Sequence, residues 1–269
     1  MTNLILEEEG SFRLVVFIIV LAAMALWESL SPRRKRIYSR RERWPGNLIL
    51  IVAGTLFLRV VFPLLAVDFA ILAQARGGGL FNLTTLPPIL ELVLAVILLD
   101  MVVYWQHVFF HRVPILWRLH QVHHTDRDLD ATSALRFHPF EIGLSMIVKI
   151  FVVIALGVSP LAIILFEVIL NAMAMFNHGN VALPGTLDKT LRKALVTPDM
   201  HRIHHSVDPK EYNTNFGFNL SLWDRLFGTY SQDPQDGQEN MTIGQAAHLT
   251  HEPVSFLFML ILPFWRNNR

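Results

Sequence analysis

Residues 98–124 read LLDMVVYWQHVFFHRVPILWRLHQVHH. An apolar run suited to a bilayer passes without a break into His107, His111, His120, His123 and His124. The spacing His107-x3-His111 places two imidazoles on one face of a helix, a turn apart. Pro114 suits the first turn of a new helix, on which His120, His123 and His124 share a face. The pattern recurs as His201-x2-His204-His205, entered through Thr197-Pro198-Asp199, which reads as a helix start. The chain has 12 histidines, and eight fall in these three clusters. Neutral imidazole is the commonest metal ligand in proteins. Eight or nine such rings exceed the needs of one ion, and two ions of four or five ligands each would use them.

Working outward, the whole composition belongs to a membrane protein. Of 269 residues, 52% are hydrophobic, and the mean hydropathy is +0.40. Near-continuous apolar stretches predict membrane segments over 12–30, 47–71, 87–110 and 140–176, the last a hairpin around Gly157-Val158-Ser159-Pro160. Phe256 to Trp265 is too short to span and reads as interfacial. The net charge of +1 gives no general attraction to nucleic acid. The absence of cysteine excludes thiolate-ligated haem, cysteine-bound iron–sulfur clusters and Cys-rich zinc sites. The start carries Glu7, Glu8 and Glu9 rather than a basic region, so no cleaved signal is read.

Charge sets the orientation. Arg33, Arg34, Lys35, Arg36, Arg40, Arg41 and Arg43 follow the first span, which puts that side in the cytoplasm. Counting spans from there brings every histidine cluster to the same side. Arg112, Arg118, Arg127, Arg136, Lys189, Arg192 and Lys193 accompany them, whereas the outer loop near 72–86 holds only Arg76. The expected fold is an all-α integral membrane protein with four to five membrane-embedded helices. A cytoplasmic helical cap over 111–138 and 178–250 carries a histidine-rich dinuclear metal site, all within a single membrane domain spanning 1–269.

Other polar residues fall on the same faces. Asp100, Tyr104, His107 and His111 line up at helical steps. Asp100 is either a carboxylate that orients a ligand histidine or the partner of Arg59 or another buried cation. Glu167, Asn171 and His178 share a face of the hairpin's second arm. There His178 reads as a ninth ligand, the alternative being a histidine that caps helix carbonyls. His138 is either a ligand or a structural residue where the chain re-enters the membrane, and His248 and His251 read as surface. Iron, zinc and copper all suit imidazole. A carboxylate di-iron bundle would show Glu-x-x-His, and no glutamate here has His at the third following position. What remains is a di-iron site, with zinc the alternative, able to generate an oxidant for an unactivated C–H bond.

The order His-x3-His, His-x2-His-His, His-x2-His-His in a multi-helix membrane protein resembles the fatty acid hydroxylase/sterol desaturase superfamily of histidine-box di-iron oxygenases. Ser133 to Glu141, Asn215-Phe216-Gly217 and Leu222 to Tyr230 are also similar to that family's stretches, so the resemblance runs from about Asp100 to Tyr230. It implies that His107, His111, His120, His123, His124, His201, His204 and His205 are metal ligands. It also implies that His178 matches an extra histidine many members carry. The longer His-x4-His box of some members is absent. Trp223-Asp224-Arg225 is expected to pack beneath the site, with Asp224 steadying a ligand histidine.

The implied activity is O2-dependent hydroxylation or desaturation of a membrane lipid, fatty acyl, sterol or related. Electrons come from a separate donor of cytochrome b5, ferredoxin or reductase type, and no nucleic acid is involved. The rival reading is a membrane metal-binding or metal-transport protein, which would need ligands along a mid-membrane path. A zinc hydrolase is weaker, since no His-Glu-x-x-His occurs.

Overall fold

Proline and glycine mark most helix boundaries. The computed structural model describes residues 8–249 and 255–265, so Glu7 and His251 lie outside the described residues. Long helices are α1 (Glu9–Leu30), α2 (Arg40–Val61), α4 (Pro88–Arg112), α6 (Pro139–Leu156) and α7 (Pro160–Asn177). The last three open on proline at the first helical position, where its missing N–H costs nothing. Five helical segments are long and apolar enough to cross a membrane, α2 being counted with the short α3 (Ala66–Ala75). Among the described residues there is no strand, only isolated bridges.

The apolar segment expected over 47–71 is two helices. α2 begins earlier, at Arg40, because the Glu42 carboxylate accepts from Ser39 N and Oγ and so starts the helix within the arginine run. It ends before Pro63, which pushes Phe62 to an extended backbone (φ −116°, ψ 103°). Summed hydropathy does not register one proline. α3 then packs across the ends of α6 and α7 that lie away from the histidines.

At that far end two turns meet backbone to backbone. Gly157 (φ +66°) closes α6 and Gly79 (φ +93°) ends the 77–79 turn. A Cβ on Gly79 would lie 2.2 Å from Gly157 N, so both positions need glycine. From this turn α6 leans on α2 and α3, while α7 leans on α1, α3 and α4. The two arms of the expected hairpin therefore diverge. The outer faces stay apolar: Val60 is 83% exposed and Ile89 79%, as suits lipid rather than water.

At the histidine end sits a cap of short helices: α5 (Pro114–His124), α8 (Gly185–Leu191), α9 (Pro198–His204), α10 (Pro209–Tyr212), α11 (Leu222–Leu226) and α12 (Gly237–Asn240). α13 (Phe256–Ile261) and a following 3₁₀ turn lie against α2 and α5. His248, expected at the surface, is buried and faces Phe258 at 5.8 Å between ring centroids. Sequence isolation hid this, because its cover comes from the returning C-terminal segment.

Buried charges fasten the cap to the spans. The fully buried Arg43 grips Asp126 with two bonds (3.0 and 2.6 Å) and also reaches Asp130 and Ser133. Arg136, equally buried, donates to Val122 O, Thr125 Oγ1 and Asn47 Oδ1. Glu28 accepts from Ala131 N and Asn180 N. Arg43 and Arg136, counted in the sequence as charges that orient the chain, are thus interior ties. Arg43→Met removes the shared partner of two buried carboxylates and is expected to destabilise the fold by about 3–5 kcal/mol. Thermal unfolding in detergent checks this, and an unchanged midpoint would contradict the assigned role.

Candidate metal centre

Nine imidazoles converge where α4, α5, α7 and α9 meet, and they sort into two groups. One contains His107, His111, His120, His124 and His204; the other contains His123, His178, His201 and His205. Within each group, one nitrogen per residue lies within 4.8 Å of all the others. Helix geometry accounts for the motif. Residues four apart face the same way, so His107/His111, His120/His124 and His201/His205 each serve one group. Neighbouring residues point about 100° apart, so His123 and His124 separate, as do His204 and His205. The adjacent pair in each cluster is what lets one helix address two sites.

Backbone and carboxylate acceptors fix the ring orientations. His107 Nδ1 donates to Phe216 O (2.8 Å), His178 Nδ1 to Ala174 O (2.7 Å) and His204 Nδ1 to Thr214 O (2.8 Å). His120 Nδ1 donates to Glu141 Oε1 at 2.6 Å. A neutral ring that donates from Nδ1 presents a bare lone pair at Nε2. Those Nε2 atoms turn inward and crowd. His178 Nε2 stands 3.0 Å from both His123 Nε2 and His201 Nε2, and His107 Nε2 stands 3.1 Å from His120 Nε2. The buried His124 Nε2 and His204 Nε2 have no hydrogen-bond partner.

This donor set fits metal ions. Two nitrogens that each lie about 2.0–2.1 Å from one ion are about 3 Å apart at a right angle, as found here. Without a cation between them, facing lone pairs in a buried core repel. Burial, the largest influence, holds His120 down to about 3 and His178 to about 4. Burial and then neighbouring histidines push His123, His124, His201 and His205 well below the usual value. For His204 too, burial leads. The rings are therefore neutral, the form that ligates.

His178 caps α7 by bonding Ala174 O, and its other nitrogen faces His123 and His201. His138 takes no part in either group. Its Nδ1 accepts from Phe140 N to cap α6, and Nε2 donates to Leu260 O.

The two aspartates touch no histidine. Asp100 accepts from Asn219 N, Leu220 N and Trp223 Nε1. It neither orients a ligand directly nor pairs with Arg59. Asp224 accepts from Phe216 N (2.7 Å), Gly217 N and Thr229 Oγ1. Burial pushes it up to about 6, held back by those bonds. Asp224 reaches His107 only one step removed: Gly217 N, which it holds, belongs to the same peptide as the Phe216 carbonyl that accepts from His107 Nδ1. The carboxylate that meets a histidine ring is Glu141, which the sequence reading had placed only within a family-like stretch. Its signal was an acidic residue in the first turn of an apolar span, a costly position without a partner.

The five-histidine group opens on a cavity of about 220 Å³ between α4, α6 and α7. His107, His120 and Glu141 form its inner end, and Leu99, Phe166 and Leu170 are among its apolar walls. The four-histidine group does not line it, and all four residues are buried. Phe137 covers His123, stacked at 4.5 Å and 12°.

Comparison with known proteins agrees with this geometry. Residues 92–229 match the fatty acid hydroxylase family model. The chain is 28% identical over 268 residues to the ornithine lipid hydroxylase of Rhizobium tropici, covering 95% of this chain and 76% of that protein. It is 29% identical over 204 residues to sphinganine C4-monooxygenase 1 of Arabidopsis thaliana (72% and 76% covered). Against human alkylglycerol monooxygenase it is 29% identical over 171 residues, 60% of this chain but 35% of that protein. No solved structure matches.

Proposed function

The chain belongs to the fatty acid hydroxylase family, and from that premise we propose that it is a multi-pass membrane oxidoreductase that hydroxylates a lipid with O2. The observation that carries the proposal is the opening of one histidine group onto an apolar cavity among the spanning helices. His107, His111, His120, His124 and His204 would hold one ion, and His123, His178, His201 and His205 a second. Two irons bound there would supply the O2 activation that attack on an unactivated C–H bond needs; zinc would not.

The protein's own part is to position and exclude. Glu141, Phe216 O, Ala174 O and Thr214 O lock four imidazoles with Nε2 inward. An alkyl chain would enter from the bilayer between the diverging α6 and α7. Apolar walls keep water from the reacting carbon, which approaches the five-histidine group. Insertion of one oxygen atom from O2, with the other leaving as water, consumes two electrons and two protons. A separate carrier of cytochrome b5, ferredoxin or reductase type supplies the electrons.

The relatives are named as hydroxylases and monooxygenases, which favours hydroxylation over desaturation. Their lipids differ, so the substrate is proposed as a class, a membrane lipid with a long alkyl chain. A transporter needs ligands along a path at mid-membrane depth, whereas these histidines gather at one end of the helices. That end is proposed to be cytoplasmic. The basic segment after α1 packs on the cap, through Arg33 to Asp199 and Arg34 to Met241 O, so both share one side.

Membranes containing the protein, a reductant and a lipid extract under isotopically labelled O2 should yield a hydroxylated lipid carrying the label. Unlabelled product, or none, would overturn the proposal.

A further inference from the structure

One face of α6 is polar where the bilayer would call for apolar residues. Glu141, Ser145 and Lys149 follow at steps of four, and all three line the cavity. Glu141 lies at the histidine end. Lys149 lies eight residues on, about 12 Å further into the span. An ionisable group at that depth is costly and marks function by default.

A buried carboxylate holds the lysine in place. Glu167 on α7 is 4% exposed. One of its oxygens pairs with Lys149 Nζ and the other with Arg13 at 2.7 Å. Arg13 continues to Glu9 at 3.0 Å, at the start of α1. Both oxygens of Glu167 are thus engaged, while Lys149 has used one of its three donors. Asn171, also on the wall, donates to Glu167 O and keeps a second N–H. Ser145 Oγ accepts from Gln106 Nε2 at 2.7 Å, leaving its own O–H to give. This end of the cavity is rich in donors.

The histidine end has the opposite character. Its imidazole nitrogens carry lone pairs, and the buried Glu141 Oε2 has no partner. In the metal-free protein an oxygen-bearing group therefore finds its hydrogen-bond donors at Lys149 rather than at the histidine end.

The geometry points to Lys149 as a specificity-determining residue that binds the acceptor oxygens of an acyl group. The substrate then lies along α6 with its oxygens away from the histidines and its alkyl chain running toward them. This rests on the lipid-hydroxylase reading for its function but not for its test. Lys149 sets which carbon reaches the histidines, by fixing the chain's other end.

The test uses the metal-free full-length protein in a non-ester detergent, with palmitate and hexadecane binding measured by native mass spectrometry. The wild type should prefer palmitate by about tenfold or more, the contribution of a charge-assisted hydrogen bond. Lys149→Met, which leaves Glu167 paired with Arg13, should erase that preference while hexadecane binding stays. Lys149→Arg should keep it. In the active enzyme, Lys149→Met should also spread the hydroxyl over several carbons. Equal binding of the two probes by the wild type, or full preference retained in Lys149→Met, would overturn the assignment. Because no metal is involved, a negative result leaves the oxygenase reading standing. Loss of that reading, in turn, would not alter the binding result.

Discussion

Replacing His123 with alanine is expected to abolish detectable turnover while the protein still inserts in the membrane. His123 is the ring that α5 contributes to the four-histidine group, and its Nε2 lies 3.0 Å from His178 Nε2. Deleting it leaves three imidazoles there and the five-histidine group intact. Metal content should fall by about one ion per chain. The spans and the Arg43 and Arg136 ties are untouched, so the monodisperse detergent-solubilised protein should survive. Product formation and metal per chain, measured on the same sample, test both halves. Full activity in His123→Ala would remove this residue from the centre and undo the two-group arrangement.

Replacing Glu141 with alanine should lower activity or metal affinity about 10–100-fold, the usual cost of losing a carboxylate that orients a ligand histidine. The 2.6 Å bond from His120 Nδ1 is the only carboxylate contact made by the nine rings among the described residues. Without it His120 loses its fixed tautomer and can turn its lone pair away from the site. Glu141→Gln keeps an acceptor oxygen without the charge and should fall between wild type and alanine. Turnover with saturating iron, beside the metal concentration needed for half-activity, separates weakened binding from misorientation. Wild-type values for Glu141→Ala would show that the bond does not serve the reaction.

The helices and the pairing of histidines four apart were legible because they depend on spacing within one element, whereas His123, read as sharing a face with His120 and His124, turns to the other group. Periodicity joins His107 to His111 and His201 to His205 without knowledge of the fold. The same logic misled at Asp100, which shares a face with His107 yet turns to the loop around Leu220 and Trp223, far along the chain. Glu141 escaped notice for the converse reason. It meets His120 across a loop whose path is set by buried ion pairs, and no spacing rule reaches across it. Arg43 and Arg136 read as cytoplasmic charge, since a charge count does not tell a solvated arginine from one that a carboxylate or carbonyl holds inside. The polar face of α6 was visible in the residues, but only the divergence of α6 and α7 makes it the wall of a cavity.

Nine imidazoles are proposed to hold two irons. The most direct measurement is metal content of the purified protein by mass spectrometry, with Mössbauer spectroscopy on protein grown in isotope-enriched iron. Two irons per chain, giving one coupled dinuclear signal that disappears in His123→Ala, is the result predicted here. A single ion or none per chain, or two zinc ions from iron-replete growth, would contradict it.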